Sequence, residues 1–345
     1  MTKQRVLMAM SGGVDSTAGA LLLQRQGYEV DGVMLRLHNE RDTSAEQDAR
    51  DAAAKLHIGF TVLDAQHDFR RCVIEPFITE YCAARTPNPC IRCNETVKFG
   101  LLMDYALSHG YDYLSTGHYA RVVRDDAGLC HLLRGSDSTK DQSYVLCRLT
   151  QQQLSHLLLP LGDTDKADAR QLAREAGLAN AERGDSQDIC FIPNGDYISF
   201  LEQEGVVLEG GNFIDEAGTV LGPHRGLPCY TIGQGKGLGI ALGRHVYVLA
   251  KDAANNTVTL GDNDRLFTCD LTANEMNWLA GVAPSSPFRC TAKTRYSQKE
   301  SLATAEILPD GRLHLTFDEA QRAITPGQAV VLYCGDEVLG GGTIE

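Results

Sequence analysis

No stretch of the 345-residue chain approaches the ~20 consecutive apolar residues needed to cross a bilayer. Lys3 and Arg5 stand near the start, but the apolar run at 6–10 is too short for a signal peptide, so a cytoplasmic protein is expected. Low-complexity tracts are also missing. A chain that is 43% hydrophobic and 22% charged, with 34 Gly and 11 Pro, has the composition of a soluble globular protein and excludes collagen-like and disordered classes. Its length suggests two or three domains, each able to bury a core. Positive charge is scarce: 32 Lys and Arg stand against 45 Asp and Glu, a net −13. A surface of that sign repels phosphate backbones and argues against a general nucleic-acid binder, while leaving room for a local basic patch. Partners for a zinc site are absent too, because the C-x-x-C at 90–93 has no second C-x-x-C or H-x-x-x-H to complete it. Eleven cysteines without a signal segment read as reduced thiols, most of them small core residues.

The order of elements is informative. A buried strand at 5–10 leads through a Gly-rich turn into an apolar helix at 14–26, with Gly27 as its C-cap. A strand at 30–37, a helix at 45–56 and a strand at 60–63 complete a βαβαβ order, which predicts a doubly wound parallel sheet. Phe69, Val73, Phe77 and Tyr81 mark a helix that Pro87 and Pro89 stop. Asn94 is placed to cap another helix carrying Val97, Leu101, Leu102 and Tyr105, and a strand at 111–115 follows. Near residue 205 helical periodicity gives way to short alternating strands at 246–249, 257–260, 288–293, 313–317 and 329–333. This is the pattern of a small β-rich domain followed by a barrel or sandwich. The expected division is 1–203, 204–268 and 269–345.

Met10-Ser11-Gly12-Gly13-Val14-Asp15-Ser16 joins the first strand to the first helix. Its glycines let backbone N–H groups approach an anion, and the helix N-terminus adds a favourable dipole. Asp15 could orient Mg²⁺ or a metal-bound phosphate. The Lys of a G-x-x-x-x-G-K-[ST] loop is lacking, so γ-phosphate transfer is not indicated. The S-G-G-x-D-S string resembles the loop of the N-type ATP pyrophosphatases, which cleave ATP between its α and β phosphates. The glycines at 233–239 lack dinucleotide spacing and read as a β-loop. The C-x-x-C at 90–93 directly precedes an expected helix, where Arg92 and the helix N-terminus should lower a thiol pKa. Cys190 ends a polar run, 184–188, that turns apolar at Ile189. Residues 289–299 carry Arg289, Lys293, Arg295 and Lys299 with no acid, interleaved with Tyr296, and Arg121 and Arg124 follow His118.

Together the loop, the C-x-x-C and Cys190 resemble the tRNA-specific 2-thiouridylase family. Ser115-Thr116-Gly117-His118-Tyr119-Ala120-Arg121, Lys140-Asp141-Gln142-Ser143-Tyr144, Tyr230-Thr231-Ile232-Gly233-Gln234, Thr294-Arg295-Tyr296 and Pro326-Gly327-Gln328 match in family order, so the resemblance covers almost the whole chain. It implies an α/β domain of the adenine nucleotide alpha-hydrolase type, a small β-rich central domain and a C-terminal β-barrel. It implies ATP-dependent conversion of the 2-carbonyl of the wobble uridine of tRNA to a thiocarbonyl. Ala9, Met10, Ser11, Gly12, Gly13, Val14, Asp15, Ser16, Leu35 and Gly117 would then hold ATP, with Mg²⁺. Cys93 would be the nucleophile and Cys190 the persulfide carrier, and a disulfide bond is among the implied features. Asn88, Pro89 and Cys90 would lie by the target base. His118, Lys140, Asp141, Gln142, Arg295, Tyr296 and Gln328 would contact tRNA, and the basic stretch around Arg295 would form its track. A sulfur-donor protein, such as a cysteine desulfurase or a relay protein, is implied as a partner; a membrane is not.

Some family members carry Asp where this chain has Cys90. Cys90, Cys93 and Cys190 could therefore hold a [4Fe–4S] cluster with one open iron for hydrosulfide, in place of persulfide chemistry. Two rival functions share parts of the pattern. A PP-loop ATP pyrophosphatase that ligates or amidates a small molecule would have the loop but no use for the thiols. A non-catalytic, cluster-binding RNA module would keep the thiols and a degenerate loop.

Overall fold

The computed structural model describes residues 3–38, 44–177, 189–192 and 195–345. Strands β1 (Arg5–Ala9), β2 (Glu29–Arg36), β3 (Phe60–Asp64), β4 (Tyr113–Ser115) and, further along, Leu157–Leu158 form one sheet. Its order is β3-β2-β1-β4 followed by Leu157–Leu158, and every pairing is parallel. Alternation along β1 serves two cores. Val6 and Met8 pack with Ala20, Leu23, Ala49 and Ala173 from helices α1 (Val14–Arg25), α2 (Ser44–Leu56) and Lys166–Glu175. Leu7 packs on the other face with Leu102, Met103 and Ala106. The sheet is thus doubly wound, as expected, and reverses strand order between β1 and β4. Open sheets of this kind bind ligands beyond the carboxyl ends of the strands at that reversal.

Two long helices contain π-helical stretches. The helix over 66–82 is π-helical at Arg70–Ile74. Phe69, Val73, Phe77 and Tyr81 all face one core, although a four-residue step overshoots an α-helical turn by about 40°. The wider i→i+5 turns rotate the stripe back. The second helix, over 89–108, is π-helical at Asn94–Leu101. Its cap is Asn88, whose side chain accepts hydrogen bonds from the N–H groups of Cys90 (3.1 Å) and Ile91 (3.3 Å). Asn94, expected as the cap, lies inside the helix and donates instead to the Val145 carbonyl (3.0 Å). The C-x-x-C therefore forms the first turn rather than preceding it.

Strands β5 (Ala120–Arg124) and β6 (Cys130–Arg134) form a hairpin outside the parallel sheet. It joins the C-terminal sheet at Glu337–Ile344, where Glu337 pairs with Leu133. That sheet runs Phe267–Trp278, Leu313–Arg322, Ser301–Ile307, Phe288–Lys293, Ala329–Cys334, Glu337–Ile344 and closes back on Phe267–Trp278 as a barrel. A four-stranded sheet (Tyr247–Asp252, Thr257–Gly261, Gly211–Ile214, Val220–His224) lies between the two in sequence. No helix of the described residues is long and apolar enough to cross a membrane.

One arginine fastens the central unit to the barrel. Arg295 Nη2 donates to the carbonyls of Ile232 (3.1 Å) and Ala323 (2.9 Å) and to Thr325 Oγ1 (2.6 Å). Replacing it leaves partly buried acceptors short of a charged donor, which costs about 1–3 kcal/mol. Arg295→Ala should therefore lower the unfolding free energy by that amount, read as a fall in the urea midpoint at unchanged slope. An unchanged midpoint would show that the contact holds nothing together.

Candidate active site

The loop after β1 sits at the strand-order reversal. Gly13 is the N-cap of α1 and offers no side-chain cap, so the helix presents free N–H groups of the kind that bind anions. The loop is held in shape by its own hydroxyls: Ser16 Oγ and Thr17 Oγ1 each donate to the Gly13 carbonyl at 3.1 Å, and Ser11 N–H donates to Ser16 Oγ at 3.3 Å. Ala9 and Met10 lead in from β1, where Met10 N–H donates to the Val33 carbonyl (2.7 Å). Gly12 and Val14 are buried, and Ser11 is exposed at the rim. Gly117, beyond β4, lies against the start of α1, where a Cβ would stand 3.0 Å from Ser16 N and 3.1 Å from the Asp15 side chain. Leu35, on β2, packs against both the core behind the sheet and the core that contains Cys93. The expected ATP residues therefore share one end of the sheet.

Asp15 does not stand ready for a metal ion. Lys166 Nζ lies 2.7 Å from each of its carboxylate oxygens, and Tyr119 Oη donates to Oδ1 at 2.7 Å. Lys166 escaped the sequence reading. The available signal was its spacing: Lys166, Ala169 and Ala173 fall on one buried helix face, where a lysine requires a partner.

Cys90 and Cys93 lie in the first turn of the helix over 89–108, and Cys190 lies in a turn far along the chain. Cys93 is 7% exposed and packs with Val97, Phe77, Phe191 and Ile192, whereas Cys90 and Cys190 are exposed. Cys190 and Cys93 share one electrostatic neighbourhood despite their separation in sequence. Although the Cys190 residue is open to solvent, the protein closely surrounds its sulfur, and that desolvation pushes the thiol up to about 12, with the nearby Cys93 and Cys90 adding to the rise. Burial likewise raises Cys90 and Cys93. The expected lowering is therefore overturned. The Asn88 side chain takes up the N–H groups of Cys90 and Ile91, and Arg92 Nε is spent on the Cys72 carbonyl (3.2 Å). The cation that does act on all three thiols is Lys98, which pulls each of them down and also opposes protonation of His118. The polar run at 184–188 lies outside the described residues.

Several residues expected at the RNA surface have structural partners. His118 is buried, with Nδ1 2.7 Å from Thr116 Oγ1 and its ring beside Phe99, and burial holds its pKa well below the ordinary value. Asp141 accepts from the N–H groups of Ser143 and Gly135, and Gln142 Oε1 accepts from Tyr119 N–H. Gln328 Nε2 donates to the carbonyls of Thr86 (2.9 Å) and Pro87 (3.4 Å), steadying the segment that carries Asn88, Pro89 and Cys90. In the basic stretch, Arg289 pairs with Asp318 and Arg295 is the domain fastener. Tyr296 is exposed and donates to the Asp141 carbonyl (3.3 Å), and its ring lies near Cys90. Lys293 Nζ stands 5.9 Å from its ring centroid, and Lys140 is half-buried. This edge, beside the exposed thiols, is where an RNA base could be met.

Raised thiols stay protonated at neutral pH, so iodoacetamide should modify Cys190 at pH 8 at least tenfold more slowly than a free cysteine peptide. The rate should still be climbing above pH 10. Lys98→Met removes a lowering influence and should slow modification further, as followed by peptide mass spectrometry. A rate that levels off near pH 8 would contradict the geometry.

Three family models match in succession: the tRNA methyl transferase HUP domain over 4–194, the tRNA methyl transferase PRC-barrel domain over 198–262, and the aminomethyltransferase beta-barrel domain over 268–344. The chain is 46% identical over 353 residues to the tRNA-specific 2-thiouridylase MnmA of Magnetococcus marinus, covering 99% of each chain. It is 47% identical over 357 residues to that of Carboxydothermus hydrogenoformans, covering 99% of this chain and 98% of the relative. Among solved structures, a 4-thiouridine synthetase–RNA complex with bound ATP is similar over 58% of this chain and 50% of its own, at 15% identity and a TM-score of 0.40, too partial a likeness to bear on function. The full-length identity joins the phosphate loop, the thiols and the barrel in one lineage, and the chain belongs to the tRNA-specific 2-thiouridylase family.

Proposed function

We propose that the chain thiolates the wobble uridine of tRNA at its 2-position, with ATP as the activating co-substrate. The observation that carries this reading is the meeting of two chemistries at one end of the sheet. An uncapped helix N-terminus suited to phosphates opens at the strand-order reversal, and on the neighbouring strand Leu35 packs with the core that holds Cys93, whose electrostatic neighbours include Cys90 and Cys190. An amide-like carbonyl is a poor electrophile. Attack of the uridine 2-oxygen on the α-phosphorus of ATP expels pyrophosphate and leaves an O-adenylate. The terminal sulfur of a persulfide on Cys190 then attacks C2, and the C2–O bond breaks with AMP as leaving group. Cys93 gives up its proton and attacks Cys190 Sγ, which leaves sulfur on the base and a Cys93–Cys190 disulfide for an external thiol to reduce. Exclusion of water protects the adenylate.

The exposed Cys190 is open to loading by a sulfur-donor protein of the desulfurase or relay class, and the buried Cys93 waits beside it. Tyr296, Lys140 and Cys90 supply the edge for the tRNA. Among the described residues, no group of three or more His, Cys, Asp or Glu could hold a metal ion. We take the persulfide route for the three thiols in preference to a cluster. Both Asp15 oxygens face Lys166.

Anaerobically purified protein, assayed for iron and acid-labile sulfide, is to be given ATP, a persulfide donor and unmodified tRNA, with 2-thiouridine read by mass spectrometry. The expected result is ATP-dependent thiouridine without iron. Cys190→Ser should take up no sulfur, Cys93→Ser should take up sulfur without delivering it, and both should still release pyrophosphate on tRNA. Full product from Cys93→Ser would overturn its role, and thiolation that tracks bound iron would restore the cluster.

A further inference from the structure

The phosphate loop contains an electrostatic contradiction. Its anion-binding surface is the start of α1, yet Asp15 stands in the first turn of that helix. A carboxylate is welcome at a helix N-terminus when nothing else binds there. Where a polyphosphate must bind, it competes for the same N–H groups and repels the ligand. The loop itself carries no cation to offset it, because the lysine of the common phosphate-loop motif is absent between Ser11 and Ser16.

The fold supplies that cation from 151 positions away. Lys166 is the first residue of the helix Lys166–Glu175, whose N-cap is Asp165, accepting from Asp168 N–H at 2.8 Å. That helix packs on α1 through Ala169 and Ala18, with Leu161 and Tyr119 completing the contact. The lysine is 9% exposed, and its Nζ is 2.7 Å from both Asp15 oxygens. The Tyr119 hydroxyl holds Oδ1 at 2.7 Å, which leaves the carboxylate little freedom to turn.

We infer that Lys166 is a positioning residue of the nucleotide site: by neutralising and orienting Asp15, it lets the start of α1 accept the phosphates of ATP. The inference rests on the ATP reading above and adds a residue to it. Lys166 acts through Asp15, so its importance depends on the carboxylate being present. Removing the ammonium alone unmasks a negative charge beside the phosphates, whereas removing both charges restores neutrality.

The test is a charge cycle read by calorimetric titration of the full-length protein with ATP in EDTA, so that no metal intervenes. Lys166→Met should weaken ATP binding at least tenfold. Whatever Asp15→Asn costs by itself, the Asp15→Asn/Lys166→Met double variant should bind ATP at least threefold more tightly than Lys166→Met and within threefold of Asp15→Asn. Rescue by a second substitution is an outcome that a merely structural lysine would not give. Thermal unfolding and tRNA affinity check that each variant is folded; if Lys166→Met does not fold, the double variant, which buries no unpaired charge, decides the matter. Parent-like binding by Lys166→Met would overturn the inference. A double variant as weak as Lys166→Met, or weaker than Asp15→Asn by tenfold, would also overturn it, because Lys166 would then be acting on the nucleotide directly. Failure of the parent protein to bind ATP would overturn the nucleotide reading itself, a result distinct from either.

Discussion

Three separate pieces of chain meet on the carboxylate of Asp15. The loop after β1 carries it, the segment after β4 brings the Tyr119 hydroxyl, and the helix Lys166–Glu175 brings an ammonium. Gly117 is pressed so closely against the same turn that a side chain there would crowd Ser16 and Asp15. A buried ion pair contributes little net stability once desolvation is counted, but breaking it is costly because a bare charge remains. Its value here is geometric. It fixes the strand-order reversal and the helix start in register, and the crevice between them is the place where a doubly wound sheet binds its ligand.

The thiol region obeys the opposite logic. Its groups are kept neutral by burial, and Lys98 offsets that only in part. A permanently ionised thiolate beside an exposed cysteine would be open to oxidation and to adventitious disulfides. A protonated pair reacts slowly until charge or substrate changes its surroundings. A persulfide is more acidic than a thiol, so sulfur loaded on Cys190 can ionise where the parent thiol would not. On the proposed persulfide route, the environment would thus discriminate between the loaded and unloaded forms of the same side chain.

Local chemistry was legible in the sequence, and distant pairing was not. The S-G-G-x-D-S loop and the C-x-x-C announce themselves because their residues are adjacent, and the βαβαβ order follows from short-range periodicity. The helix cap was misplaced by six positions, because Asn88 and Asn94 are equally good cap residues and only tertiary packing chooses between them. Lys166 was invisible because its partner lies across the fold. The strand Glu337–Ile344 was missed because Gly340, Gly341 and Gly342 weaken any strand propensity. They are needed there because a Cβ on Gly340 would run into the carbonyl of Asn277 on the neighbouring strand. Ser301–Ile307 and Phe267–Trp278 carry small or polar residues at most positions, so barrel closure rather than sequence pattern makes them strands.

The basic stretch has partners within the fold that its sequence does not announce. A run of arginines without acids looks like a phosphate track when only neighbours in sequence are counted. In space, Arg289 meets Asp318 and Arg295 is consumed by three oxygens. Arg121 reaches Asp336 at 3.2 Å, which ties the hairpin β5–β6 to the barrel. The segment bearing Asn88 and Cys90 is similarly tied: Thr86 N–H donates to the Pro326 carbonyl, and Gln328 donates back to Thr86 and Pro87. These links make the barrel a support for the thiol-bearing helix. On the proposed reading, an acidic chain can hold RNA if cations and aromatics cluster where the base must enter: Lys293 stands by the Tyr296 ring, and the Tyr296 hydroxyl shares an electrostatic neighbourhood with Cys90 and Lys140. Affinity can then come from shape and a few contacts rather than from net charge.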